Sequence, residues 1–230
     1  MQEKIKKVDD EKAKKKLEKK NKKIYGRRKN TWLKAVEKVI IGAVLRTFYR
    51  ITFRLDTINQ ENVPTNEPII LCANHLNIFD AVGIVLFTKK PIRFIAKYEV
   101  FENGFANHIL HVFDAIPVRR GLRDLESMKI CVKSLKDGES LGLFPEGTRK
   151  GLAKGAKVQN GAAYMAIKTN TKVVPVGIQG SFKPFTKVTL NYGKPLDFSN
   201  FEKDLPDKEQ MDMATKEIMD SIIMLTKKGK

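Results

Sequence analysis

Cysteine and histidine are scarce in this 230-residue sequence, which has two cysteines and three histidines. Cys72 and Cys131 lie far apart and form no Cys-x-x-Cys pair, which disfavours a zinc ribbon, a redox dithiol and a disulfide-stabilised fold. His108 and His111 lie one helical turn apart, but a metal site needs three or four ligands, so we expect structural roles and no metal. This use of cysteine predicts a reducing, cytosolic setting.

Long apolar segments are also missing from the sequence. A membrane-spanning helix needs about 18–20 apolar residues, whereas the best run, Val39 to Leu45, is followed directly by Arg46. The lysine-rich start has no apolar segment before a small-residue cleavage site, which disfavours a signal peptide. The sequence therefore predicts neither a spanning helix nor a cleaved leader.

The charge balance is strongly basic, with a net charge of +18. Half of this excess lies in residues 1–30, which hold 14 basic and 5 acidic side chains. We expect this segment to be a solvated helix or a disordered arm, with an electrostatic tether to an anionic surface as the alternative. The charge indicates an anionic partner: nucleic acid, anionic lipid or a phosphorylated substrate. Because the first 23 residues contain no aromatic side chain, a nucleic-acid-binding module is disfavoured.

Residues 31–55 are predicted to form an amphipathic helix. At 100° per residue, one side of this helix collects apolar residues, and the opposite side carries Lys34, Glu37 and Lys38. The apolar side comprises Trp32, Leu33, Val36, Val39, Ile40, Ala43 and Val44. Such a helix either lies in a membrane interface or packs on its own domain, and the pattern alone leaves both interpretations open.

The remaining residues, 56–230, are predicted to form one α/β domain. Short apolar runs alternate with helical stretches from Pro68 onward, which favours a largely parallel central sheet flanked by helices. The predicted strands are Ile69–Ala73, Ile92–Ala96, Ala115–Val118, Leu141–Phe144, Lys172–Ile178 and Val188–Tyr192. The predicted helices cover 80–89, 98–111, 122–136, 157–169 and 208–227.

Polar clusters follow three of these predicted strands directly. They are Asn74-His75, Arg119-Arg120 and the segment from Glu146 to Arg149. Open α/β sheets bind ligands outside the carboxyl ends of their strands. We therefore expect these clusters to converge at one edge of the sheet.

The first cluster suggests a general base. His75 is followed five residues later by Asp80, and a carboxylate bonded to one ring nitrogen leaves the other free to take a hydroxyl proton. In the alternative interpretation, Asp80 only caps the helix that begins after it. The two roles are compatible.

The second cluster, Phe144 to Arg149, resembles a phosphate loop in the spacing of Gly142 and Gly147. Thr148-Arg149 stands where a Walker loop has Lys-Ser/Thr, so a nucleotide site is disfavoured. A strand-end turn with backbone N–H groups and a guanidinium suits a phosphate monoester, although an ordinary turn with a surface arginine explains it too. Arg120 and Lys97 also follow strands, where a solvated basic edge is the simpler interpretation.

Taken in order, these blocks resemble the glycerolipid acyltransferase family, typified by bacterial lysophosphatidate acyltransferases. Asn74-His75 with Asp80 resembles the family's N-H-x-x-x-x-D block, and Phe144 to Arg149 matches F-P-E-G-T-R in full. Ala115 to Arg120 is similar to the second block and Val173 to Val176 to the fourth. Asn77, Ala81 and Asp114 stand where family members often have Ser, Pro and Gly.

The resemblance implies transfer of a fatty acyl group from acyl-CoA or acyl carrier protein to the sn-2 hydroxyl of 1-acyl-glycerol-3-phosphate, without a bound cofactor. It implies catalytic roles for His75 and Asp80, and phosphate binding by a set of residues formed by Lys97, Arg120, Glu146, Gly147, Thr148 and Arg149. It also implies an anionic membrane partner at the cytoplasmic face, with peripheral or monotopic attachment. Glycerol-3-phosphate or another lysophospholipid remains an alternative acceptor.

Overall fold

A computed structural model describes residues 32–119, 125–147, 158–201 and 207–227 of the chain. The helices are α1 (Trp32–Phe53), α2 (Asp80–Phe87), α3 (Gly104–Val112), α4 (Leu125–Lys136), α5 (Gly161–Thr169) and α6 (Lys208–Thr226). The strands are β1 (Asp56–Ile58), β2 (Ile69–Ala73), β3 (Ile92–Lys97), β4 (Ile116–Val118), β5 (Ser140–Leu143), β6 (Lys172–Gly180) and β7 (Val188–Tyr192). Two 3₁₀ turns cover Gln60–Asn62 and Tyr98–Glu102.

The described strands form one seven-stranded sheet in the order β1-β7-β6-β2-β5-β3-β4. Neighbours from β6 through β4 run parallel, and β7 returns antiparallel to β6. β1 pairs parallel with β7 at the far edge. The carboxyl ends of β2, β3, β4, β5 and β6 consequently lie at the same edge of the sheet.

Both faces of the sheet are covered, and the central strand β2 shows how. Its five residues are all buried, and successive side chains point to opposite faces. Ile69, Leu71 and Ala73 join the core formed with α1 and α2. Ile70 and Cys72 join the core formed with α4, α5 and α6. Continuous apolar composition in this strand follows from burial on both sides.

The predicted α/β fold with a largely parallel sheet flanked by helices is confirmed. The predicted helix over 98–111 is wrong in one respect, because it is divided at Asn103 into a 3₁₀ turn and α3. The Asn103 side chain accepts a hydrogen bond from Ala106 N at 3.2 Å and so caps a new helix start. The short strand β1 was not predicted. The predicted division at residues 30, 31 and 55 stays a prediction, and residues 1–31 lie outside the described part.

Helix α1 contacts the domain through the side that carries its polar residues. Lys34 is 6% exposed, and its Nζ lies 2.5 Å from Asp114 Oδ1. Tyr49 and Phe53, further along the helix, are buried in the core. The apolar residues of the opposite side are exposed: Trp32, Leu33, Val36, Val39, Ile40 and Val44, continued by Phe48 and Ile51. Packing on the described part of its own domain therefore does not account for this apolar side.

Within the described residues, no helix has the length and apolar character needed to cross a membrane.

Candidate active site

The site begins where β2 ends, at a buried asparagine. Asn74 is 2% exposed, and its amide exchanges two hydrogen bonds with the backbone of Ile178 on β6. Asn74 Nδ2 donates to Ile178 O at 3.1 Å, and Ile178 N donates to Asn74 Oδ1 at 2.6 Å. These bonds replace the strand ladder at the point where β2 stops. The next residue, His75, is thereby set at the carboxyl edge of the sheet.

His75 and Asp80 form a hydrogen-bonded pair. His75 Nδ1 lies 2.8 Å from Asp80 Oδ2. The same oxygen accepts hydrogen bonds from Leu76 N at 2.6 Å and Asn77 N at 2.7 Å. The loop thus wraps around a carboxylate whose residue is 0% exposed, and three hydrogen bonds converge on one of its oxygens.

Asp80 is not the cap of α2, so that interpretation is wrong. The N-cap is Phe79 and Asp80 is the first helical residue. Its carboxylate points back to the preceding loop instead of to the amides of the helix. This geometry leaves the pairing with His75 as the carboxylate's main side-chain contact among the described residues.

The pairing determines what the imidazole can do. When Nδ1–H is held by a carboxylate, Nε2 carries the free lone pair. The side chain of His75 is 12% exposed, and one face of its ring stacks on Phe144 with centroids 3.9 Å apart and planes 5° apart. Phe144 in turn contacts Phe94. The ring orientation is therefore restricted by both the bond and the stack, as a general base requires.

The turn after β5 also contacts His75. Gly147 N donates to Phe144 O at 3.0 Å, and Gly147 has a φ of 64°, which favours glycine. Glu146 is 4% exposed, and its Oε1 accepts a hydrogen bond from His75 N at 3.2 Å. Glu146 was expected only among the phosphate-binding residues. Its contact with the backbone of His75 was not predicted.

Only some of the residues expected to bind phosphate lie in the described part of the chain. Lys97 ends β3 at the same edge of the sheet, with its Nζ 3.1 Å from Glu99 Oε1 and 43% of its side chain exposed. Arg119, just beyond β4, lies over the ring of Tyr98 at 4.4 Å. Arg120, Thr148 and Arg149 lie outside the described residues, so their roles stay predictions.

Two side chains of nucleophilic residue types, Cys72 and Ser140, are buried and have no access to the site. Cys72 is fully buried in the core between β2 and helices α4, α5 and α6. Burial raises the pKa of its thiol well above the usual value. Ser140 stands in a Gly-x-Ser-x-Gly pattern that runs from Gly138 to Gly142. It begins β5 instead of following a strand, and its Oγ accepts a hydrogen bond from Ile69 N at 3.1 Å. Neither side chain can attack a bound substrate from these positions.

Comparisons with known proteins identify the family of the chain. The family model described as "Acyltransferase" matches residues 54–179, which include His75, Asp80 and Glu146. A Bacillus subtilis 1-acyl-sn-glycerol-3-phosphate acyltransferase is 30% identical over 177 residues, covering 74% of this chain and 87% of that protein. A Borreliella burgdorferi protein of the same name is 30% identical over 136 residues, covering 58% of this chain and 54% of that protein.

A solved structure shares the fold. The crystal structure of the 1-acyl-sn-glycerophosphate acyltransferase from Thermotoga maritima superposes with a TM-score of 0.59 at 24% identity. The match covers 84% of this chain and 80% of that one.

Proposed function

Because this chain belongs to the acyltransferase family, we propose that it transfers a fatty acyl group from a thioester to the sn-2 hydroxyl of 1-acyl-glycerol-3-phosphate, giving phosphatidate. The observation that carries the proposal is the His75–Asp80 pair, with Nδ1 and Oδ2 2.8 Å apart at the carboxyl edge of the sheet. The names of the relatives from Bacillus subtilis and Borreliella burgdorferi support the acceptor.

In the proposed reaction His75 acts as a general base. Its Nε2 takes the proton of the sn-2 hydroxyl while the hydroxyl oxygen attacks the thioester carbonyl, and Asp80 stabilises the imidazolium that forms. The tetrahedral intermediate then expels the thiolate, which takes the proton back from the imidazolium. The ester C–O bond forms, the C–S bond breaks, and His75 is restored. No covalent acyl-enzyme is needed when both substrates are bound together in reacting geometry.

The acceptor's phosphate is proposed to bind beside the turn after β5. Arg149 would supply a bidentate guanidinium, with Glu146, Gly147 and Thr148 forming the turn that presents it. Arg120 and Lys97 would add positive charge from the ends of β4 and β3. The position of Lys97 at the same edge as His75 supports this arrangement.

The exposed apolar side of α1 is proposed to lie in the membrane interface. It presents Trp32, Leu33, Val39 and Ile40, each more than half exposed, and an amphipathic helix of this kind buries its apolar side among headgroups and acyl chains. The basic segment 1–30 would add attraction to anionic lipid at the cytoplasmic face. The protein would then be a peripheral or monotopic membrane protein.

The proposal is tested by acyl transfer with purified protein, labelled acyl thioester and a panel of acceptors. We expect labelled phosphatidate from lysophosphatidate, with either acyl-CoA or acyl carrier protein as the donor and no added cofactor. Glycerol-3-phosphate and a lysophospholipid without a phosphomonoester are the competing acceptors. Faster turnover of either one would replace the proposed acceptor, and transfer to none of them would refute the function.

A further inference from the structure

Helix α2, which begins with Asp80, is held at both ends by side chains of α1. At its first turn, Tyr49 Oη donates a hydrogen bond to Phe79 O at 2.9 Å. At its last turn, Arg46 Nε donates to Leu86 O at 2.8 Å. The two bonds fix α2 against α1, and the opposite side of α1 is apolar and exposed.

The contact at Phe79 concerns the catalytic carboxylate directly. The Phe79 carbonyl and the Asp80 amide belong to one rigid peptide group, so the Tyr49 hydroxyl holds the backbone from which the Asp80 side chain leaves. Asp80 Oδ2 takes the bonds from His75, Leu76 and Asn77, whereas Oδ1 is buried without a hydrogen-bond partner among the described residues. Because every bond depends on one oxygen, a small rotation of this backbone would misalign all three.

Tyr49 itself has little freedom to move. It is 1% exposed, and its ring meets those of Phe53, Phe79 and Phe182 edge-on, with ring centroids 5.4 to 6.2 Å apart. These separations are usual for aromatic pairs. A Cβ on Gly83 would lie only 3.3 Å from Tyr49 Cε1, so α2 approaches the ring closely. Burial and the nearby charge of Asp80 raise the pKa of Tyr49 far above its usual value, so its hydroxyl stays a donor.

We propose that Tyr49 is a positioning residue for the reaction: its hydroxyl holds the Phe79–Asp80 peptide so that Asp80 keeps His75 in its reactive orientation. This inference rests on the proposed function and adds to it a link between the surface-exposed helix α1 and the catalytic pair. α1 is then part of the catalytic structure as well as the proposed membrane contact.

The test compares three single substitutions. Tyr49→Phe removes only the hydroxyl at the Asp80 end of α2. Tyr192→Phe removes a hydroxyl that is equally buried and bonds Thr88 Oγ1 at 2.8 Å, beyond the other end of α2. Ile84→Val removes one methylene group from the buried side of α2 without touching a hydrogen bond. All three should fold, and thermal unfolding measures how much each is destabilised.

We expect Tyr49→Phe to lower kcat about tenfold or more with little change in KM for lysophosphatidate, because misplacement of about 1 Å in a catalytic group can cost up to about a hundredfold. Tyr192→Phe and Ile84→Val should keep kcat within about twofold of the unaltered protein, even if their unfolding temperatures fall as far as that of Tyr49→Phe. A kcat for Tyr49→Phe that matches these controls would overturn the inference.

A second measurement does not depend on activity. The proton on His75 Nδ1 can be followed by NMR of protein labelled with ¹⁵N in the imidazole, since its bond to Asp80 slows its exchange with water. We expect this signal to be weakened in Tyr49→Phe and retained in both controls, and retention in all three overturns the inference. If the unaltered protein transfers no acyl group, the proposed function fails, while the proton signal still decides the role of Tyr49.

Discussion

Replacing Asn74 by Ala should destabilise the protein strongly, because this side chain joins two strands where the ladder ends. The substitution leaves the buried N–H and C=O of Ile178 without their partners at 2.6 and 3.1 Å. Each unsatisfied buried group costs about 1–3 kcal/mol, so losing the partner of both groups should lower the free energy of unfolding by about 2–6 kcal/mol. That is a large share of the ~5–15 kcal/mol that stabilises a typical domain.

Urea denaturation followed by circular dichroism measures this loss, with Asn66→Ala as the control. Asn66 is exposed, and its Oδ1 accepts a hydrogen bond from Thr65 Oγ1 at the surface. Its removal should change stability by less than about 0.5 kcal/mol. Equal unfolding free energies for the Asn74 and Asn66 variants would refute the structural role assigned to Asn74.

Three further predictions concern the substrate and the membrane. Arg149→Ala should reduce kcat/KM for lysophosphatidate much more than for a lysophospholipid lacking the phosphomonoester. Only lysophosphatidate carries the phosphomonoester that the Arg149 guanidinium is proposed to bind. Equal losses on the two acceptors would contradict phosphate binding by Arg149. Deleting residues 1–30 should weaken binding to anionic vesicles at low salt but much less at high salt, because each basic residue near an anionic surface contributes up to about 1 kcal/mol that salt screens. Vesicle sedimentation measures this, and unchanged binding at low salt would show that the segment is not a lipid tether. Deleting through Leu45 should abolish vesicle binding at any ionic strength, because it also removes most of the apolar side of α1.

A strand could be predicted from sequence where burial follows one regular pattern along its whole length. β2 and β7 begin and end where the apolar pattern does, since β2 is buried on both faces and β7 alternates. β1 has only three residues and none is buried, so no apolar pattern marks it. Its strand conformation depends on pairing with β7, which is distant in the sequence. Local composition carries no signal for such a contact.

In the candidate site, too, local contacts could be predicted from sequence and long-range contacts could not. Pairing of His75 with Asp80 could be predicted, because five residues of one strand–loop–helix connection bring them together. The contact of Glu146 with His75 N joins turns after two different strands. Tyr49 reaches the site from a helix 30 residues away in sequence. Long-range contacts of this kind depend on how α1 packs. This helix packs through the side on which Lys34 is buried against Asp114, and hydropathy alone does not indicate that side.

The most direct test of the account is acyl transfer to lysophosphatidate by His75→Ala beside the unaltered protein. A general base typically contributes about 10²–10⁴-fold, so turnover should fall by that factor while the variant keeps its fold and its vesicle binding. Asp80→Asn should also lose turnover, with a smaller effect on substrate affinity, because the amide cannot stabilise the imidazolium. Near-normal turnover by purified, folded His75→Ala protein would contradict the account.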